Sequence, residues 1–102
     1  MTTEAQTPVK KYLPFRVPLQ RADGFWIVSD MYAAAFFLAR GNEIVAVEPT
    51  ADRARKVFVI CARREFFSDR EAFESNSPIP VRDFLDAVYR VKQKINEATR
   101  YR

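Results

Sequence analysis

The stretch that most restricts this chain is residues 29–41, SDMYAAAFFLARG, in which nine of the ten residues between Asp30 and Gly41 are apolar or aromatic. Ser29 or Asp30 can start a helix, because a short side-chain oxygen accepts an orphan N–H of the first turn. Gly41 suits the left-handed residue that ends one. Such a helix is about ten residues and roughly 15 Å long, about half of what a membrane span needs. A soluble helix that is apolar all round has to be covered on more than one side. At helical spacing Met31, Ala34 and Leu38 fall together, while Tyr32, Phe36 and Ala39 lie on a different side. A sheet can take one side. The other calls for the C-terminal part of the chain or a second subunit.

The flanking segments supply the sheet. FWIVS (25–29) reads as a buried strand, NEIVAVE (42–48) as a second and KVFVICA (56–62) as a third. The third is apolar on both faces, which places it centrally and casts Cys61 as a small core residue. PTADRAR is a polar connection, so residues 43–62 form a hairpin. REFFSDREAFES follows as a short helix with Phe66, Phe67 and Phe73 as its buried side, and NSPIP breaks it. From about Pro80 a long helix carries Val81, Phe84, Leu85, Val88, Val91 and Ile95 at helical spacing. Its opposite face holds Arg82, Asp83, Asp86, Arg90, Lys94, Glu97 and Arg100, with Asp86 and Arg90 four apart and able to pair. Pairing the first strand antiparallel to the third, with the first helix as crossover, gives a split β-α-β unit. The expected fold is therefore α+β, a small three-stranded sheet in a ferredoxin-like arrangement with a long C-terminal helix.

That arrangement lacks the fourth strand that usually follows the second helix, and an N-terminal segment can fill an edge instead. Residues 12–20, YLPFRVPLQ, alternate strictly, with Leu13, Phe15, Val17 and Leu19 on one side. Tyr12, Pro14, Arg16, Pro18 and Gln20 are on the other. An edge strand with its proline side turned to solvent fits the pattern. So does an extended arm held to the surface by its four apolar residues. The expected organisation is a disordered tail at 1–9, a basic arm or edge strand at 10–22, and one α+β domain at 23–102.

Charge points to partners. The net charge is +4, and residues 10–21 carry Lys10, Lys11, Arg16 and Arg21 with no acid, so the other thirteen basic residues balance thirteen acids. A basic excess gathered into one arm suits phosphate or an acidic surface. Arg53, Arg55 and Lys56 near the hairpin turn would add to it, and Trp26 and Phe58 are the residues available to stack on bases. Core packing is the alternative for those two, since KVFVICA lacks the glycine and aromatic spacing of the RNA-binding strand signature. The competing reading is a protein-interaction module, a homodimer or an adaptor, built on the apolar helix and the edge strand.

Catalysis has little to work with. There is no histidine, which removes imidazole acid–base chemistry, histidine metal ligands and nucleophile–histidine pairs. Two glycines cannot build a phosphate-cradling loop, and one cysteine makes neither an internal disulfide nor a zinc cluster. Asp69, Glu71 and Glu74 could cluster on the short helix, although acids there are ordinarily solvated. No catalytic, cofactor-binding or metal-binding residue is expected. MTTEAQTP shows no secretory pattern, so a cytoplasmic protein is expected.

The series FWIVSDMYAAAFFLARGNEIVAVE, KVFVICAR and VRDFLDAVYRVKQKI resembles a family of short domains of unknown function encoded by phages and bacteria. The likeness rests on Asp30, Ala33, Ala34, Leu38, Gly41, Glu48, Phe58, Phe84, Lys92 and Ile95, and covers residues 25–96. These are mostly packing and capping positions. The resemblance implies a fold family and a phage or mobile-element setting, without a chemistry.

Overall fold

Asp30 starts the apolar helix. In the computed structural model, which describes residues 18–50, 53 and 55–100, Asp30 has extended backbone and its carboxylate accepts the Ala33 N–H at 2.9 Å. Helix α1 then runs Met31–Ala39. Gly41 closes it at φ +108°, where an L side chain is strained. The returning chain leaves the Gly41 N–H bonded to Leu38 O and the Asn42 N–H to Phe37 O, which satisfies the last carbonyls of the helix.

The sheet has four strands, β1 (Leu19–Gln20), β2 (Trp26–Val28), β3 (Glu43–Pro49) and β4 (Lys56–Cys61), in the order β1-β2-β4-β3. Every neighbouring pair is antiparallel. Strands β2 and β3 therefore run parallel with β4 between them and α1 connecting them, which is the expected split β-α-β. The β3–β4 hairpin is also as expected, with a register shift between Ile44 and Ala46 that leaves Val45 exposed. Two more helices follow, α2 (Phe66–Glu74) and α3 (Val81–Arg100). No helix among the described residues is long and apolar enough to cross a membrane.

Pairing register decides which side chains enter the core. Trp26 and Val28 stand opposite Ile60 and Phe58, and Ile60 stands opposite Ile44. All five are buried in one cluster with Ala33–Phe37 of α1, Phe66 of α2, and Ala87 and Val91 of α3. Helix α1 packs on β2, β3, α2 and, most extensively, α3. The long helix of the same chain is therefore the second cover that α1 requires, and α1 needs no second subunit. An aromatic group fills the α1–α2 junction: Phe37 stacks on Phe66 at 5.3 Å, Phe36 meets Phe73 at 5.4 Å, and Trp26 lies 4.6 Å from Phe66.

Three expectations need correcting. Leu19 pairs with Ile27, and the phase of the edge strand sets Leu19 outward at 66% exposure while Pro18 is buried. Pro18 is thus turned inward and not to solvent. Leu19–Gln20 supplies the fourth strand in cis, and residues 10–17 of the arm lie outside the described residues. Cys61, the last residue of β4, is exposed, whereas Val59 on the same face two residues earlier is buried. Phe67 is exposed, not part of the buried side of α2; its place is taken by Asp69.

Because Asp30 makes the capping bond, Asp30→Ala should cost about 1 kcal/mol of stability. Ser29→Ala should stay within roughly 0.5 kcal/mol. Urea unfolding followed by circular dichroism distinguishes the two.

Candidate functional site

Asp69 is the one fully buried carboxylate among the described residues. It lies in the first turn of α2 and is 0% exposed. Burial alone would push its carboxyl pKa up, but charged and amide donors outweigh it and hold the pKa below the ordinary carboxylate value. Arg63 donates twice, Nε to Oδ2 at 2.9 Å and Nη2 to Oδ1 at 2.8 Å. Asn42 Nδ2 donates to Oδ2 at 2.9 Å and Arg40 Nε to Oδ1 at 3.0 Å. Each carboxylate oxygen thus accepts two bonds, and the N-terminal end of α2 adds a favourable dipole.

The donors come from distant parts of the chain. Arg40 caps the C-terminal end of α1, Asn42 lies between the Gly41 turn and β3, and Arg63 follows β4. Asn42 is itself buried and fully used: Nδ2 also donates to Phe37 O at 2.9 Å, and Oδ1 accepts the Arg63 N–H at 2.8 Å. A Cβ on Gly41 would meet Arg63 Cδ at 3.3 Å, so the turn leaves little room beside the arginine. Arg63 also pairs with Glu65 at 3.0 Å. The cluster joins α1, β3, β4 and α2 at one corner. Its lone pairs are occupied by protein donors, so Asp69 has none left for a cation, and Glu71 and Glu74 are exposed. No group of acids or thiols placed to hold a metal occurs among the described residues.

The residues expected to contact nucleic acid are scattered. Lys10, Lys11 and Arg16 lie outside the described residues. Arg21 is engaged, donating to Asp23 Oδ2 at 2.7 Å and to Glu48 Oε1 at 3.0 Å, a pair that links the two outer sides of the sheet. Arg53 and Arg55 are exposed at the hairpin turn, where Arg53 has φ 60°, and Lys56 is half-buried at the start of β4. Trp26 and Phe58 belong to the core beneath the helices, at 7% and 3% exposure. Trp26 is flanked by Phe66 on α2, with the Arg70 guanidinium 5.6 Å from its ring centre. Neither ring has a free face on which a base could stack.

What the domain does present is the side of α3. Val81, Leu85 and Tyr89 are 68%, 60% and 63% exposed. They lie at i, i+4 and i+8, a row of two turns and roughly 12 Å. The core takes Ala87 and Val91, with Phe84, Val88 and Ile95 partly buried beside them. Apolar residues therefore occupy an arc of about 200° on α3, wider than the stripe of about 100° that one packed face needs. Val81 and Leu85 were expected inside, as members of one apolar set. The excess width, with Tyr89 extending it, is the signal that a further surface was present.

No family model matches the chain, and no curated protein or solved structure matches it.

Removing the charge at Asp69 leaves two guanidinium groups facing a neutral site, so Asp69→Asn should cost about 3–5 kcal/mol at neutral pH. The pH dependence follows from the lowered carboxyl pKa. The unfolded chain, with an ordinary Asp pKa of about 3.9, binds the proton first as pH falls. The stabilisation from Asp69 is complete above that value and is lost as pH drops through the lower folded pKa. Unfolding curves of the wild type and Asp69→Asn should therefore converge in acid, as read from urea midpoints at stepped pH.

Proposed function

We propose that this protein is a non-enzymatic protein-interaction module that engages its partner through the outward apolar side of α3. One observation carries the reading: Val81, Leu85 and Tyr89 form a continuous row, each more than half exposed, on a helix whose other apolar residues complete the core. Single exposed apolar residues are ordinary, whereas a contiguous apolar row on a rigid element suits a contact surface. The helix is held on α1 and β3, so the row is presented in a set geometry at small ordering cost. A chain without histidine lacks the commonest acid–base side chain, and its buried carboxylate is saturated by donors, which favours recognition over catalysis. The resemblance to phage and bacterial domains supplies a setting, a small cytoplasmic protein that grips a host protein as adaptor or inhibitor.

A second reading, nucleic-acid association, rests on Arg53 and Arg55. Both are exposed at the hairpin tip and have no ion pair among the described residues. They would act with Lys56 and with Lys10, Lys11 and Arg16 of the arm as phosphate contacts.

A photo-crosslinking amino acid at position 85, introduced in cells that naturally carry the protein, should give a covalent adduct with a protein. The same group at position 90, on the charged face, should give little. Absence of adducts at both positions would remove the interaction reading. For the second reading, titration with single-stranded and duplex DNA and RNA at low salt should show binding that falls steeply with salt. Replacing Arg53, Arg55 and Lys56 together by Ala should weaken it about tenfold or more. Negligible binding by the intact chain would exclude nucleic acid.

A further inference from the structure

We infer that the partner seated on the α3 row is a second copy of this chain, paired antiparallel about a twofold axis near Leu85; this rests on the interaction-module reading above. The argument is the charge pattern beside the row. Arg82 and Asp86 are exposed and form a parallel row one position further around the helix. In an antiparallel pair centred near residues 84 and 85, Leu85 meets Leu85 and Val81 meets Tyr89. Arg82 of each copy then faces Asp86 of the other, so the contact carries two opposite-charge pairs. In a parallel pair the twofold axis runs along the helices and carries Arg82 and Asp86 of the two copies to opposite flanks of the contact, so they form no opposite-charge pair with each other. The charge pattern therefore favours the antiparallel orientation, in which the row is self-complementary about a twofold axis.

The ends of the row agree with this arrangement. Lys92 and Asn96 continue the same side of α3 toward its C-terminus, and both are exposed. With the axis near Leu85, Lys92 falls beyond Val81 of the second copy, at the rim, where its ammonium stays in water. Asp86 already has Arg90 at 3.8 Å within its own helix, a long exposed pair worth little, so it is free to exchange that partner for Arg82 of the second copy.

Area sets the strength. The three side chains expose roughly 350 Å² per copy, against about 800 Å² per partner in a standard stable interface. The dimer is therefore weak and concentration-dependent, with a dissociation constant on the order of tens to hundreds of micromolar.

Sedimentation equilibrium of the full chain at low ionic strength, from about 10 µM to about 1 mM, tests this. The average mass should rise from 11.9 kDa toward twice that value. Leu85→Arg, which places two like charges at the axis, should stay monomeric throughout. Arg82→Asp or Asp86→Arg alone should weaken association about fivefold or more, and the double exchange should restore it to within about threefold. All three positions are on the surface, and unchanged thermal unfolding verifies that each variant folds. A wild type that remains monomeric overturns the inference, as does a dimer indifferent to Leu85→Arg or an exchange that restores nothing. Crosslinks from position 85 to a different protein, with a monomeric purified chain, overturn the second copy while leaving the module reading standing. A monomer without crosslinks ends both.

Discussion

A carboxylate removed from water governs one corner of this domain. Asp69 survives there as an anion because four hydrogen bonds converge on it, three of them from guanidinium groups. The geometry this demands is narrow. Arg40 has to leave α1 pointing at α2, Asn42 has to follow a left-handed residue, and the end of β4 has to bring Arg63 alongside. Buried ion pairs of this kind add little net stability over an apolar replacement, since desolvation offsets most of the attraction. Their effect is on alternatives: any packing that leaves the charge buried without its donors is strongly disfavoured. In this chain the polar cluster fixes how the helix ends and the strand ends meet, while apolar burial supplies the driving force.

Around that corner, each layer of α1 is accounted for. The sheet covers one side through Val28, Phe58, Ile60 and Ile44, the phenylalanines of α2 cover another, and Ala87 and Val91 of α3 close the third. The alanines at 33–35 matter because they let neighbouring backbones approach without a gap. Helix α3 then has a double role. Its inner arc completes the core, and the adjoining arc with Val81, Leu85 and Tyr89 faces solvent. The exposed row therefore sits on a helix held in place by its core contacts.

Much of the fold was legible in the sequence. The capped helix at 31–39, the hairpin, the break at NSPIP and the long C-terminal helix all announce themselves through periodicity, capping residues and proline, which are local signals. The split β-α-β followed from topology rules applied to those elements. The candidate site was harder to see. Trp26 and Phe58 look equally suited to a core or to a stacking platform, because alternation tells which residues share a face but not which face the helices cover. Arg21 looks like a free cation until the fold brings Glu48, twenty-seven residues away, within 3.0 Å. Asp69 looks like any acid in the first turn of a helix.

The sequence by itself determined the elements, their order and the need of α1 for two covers, since helix and strand periods, caps and turns act over a few residues. It also determined that imidazole chemistry is absent. Only the tertiary structure decided that the second cover is α3 of the same chain and that Pro18 turns inward while Leu19 and Cys61 turn out. It alone decided that Asp69 is buried and saturated, and that one side of α3 is left uncovered. The reason is the same in each case. Burial and ion pairing depend on contacts between residues remote in sequence, and a strand phase or a helix rotation that local signals leave open is fixed when the layers meet.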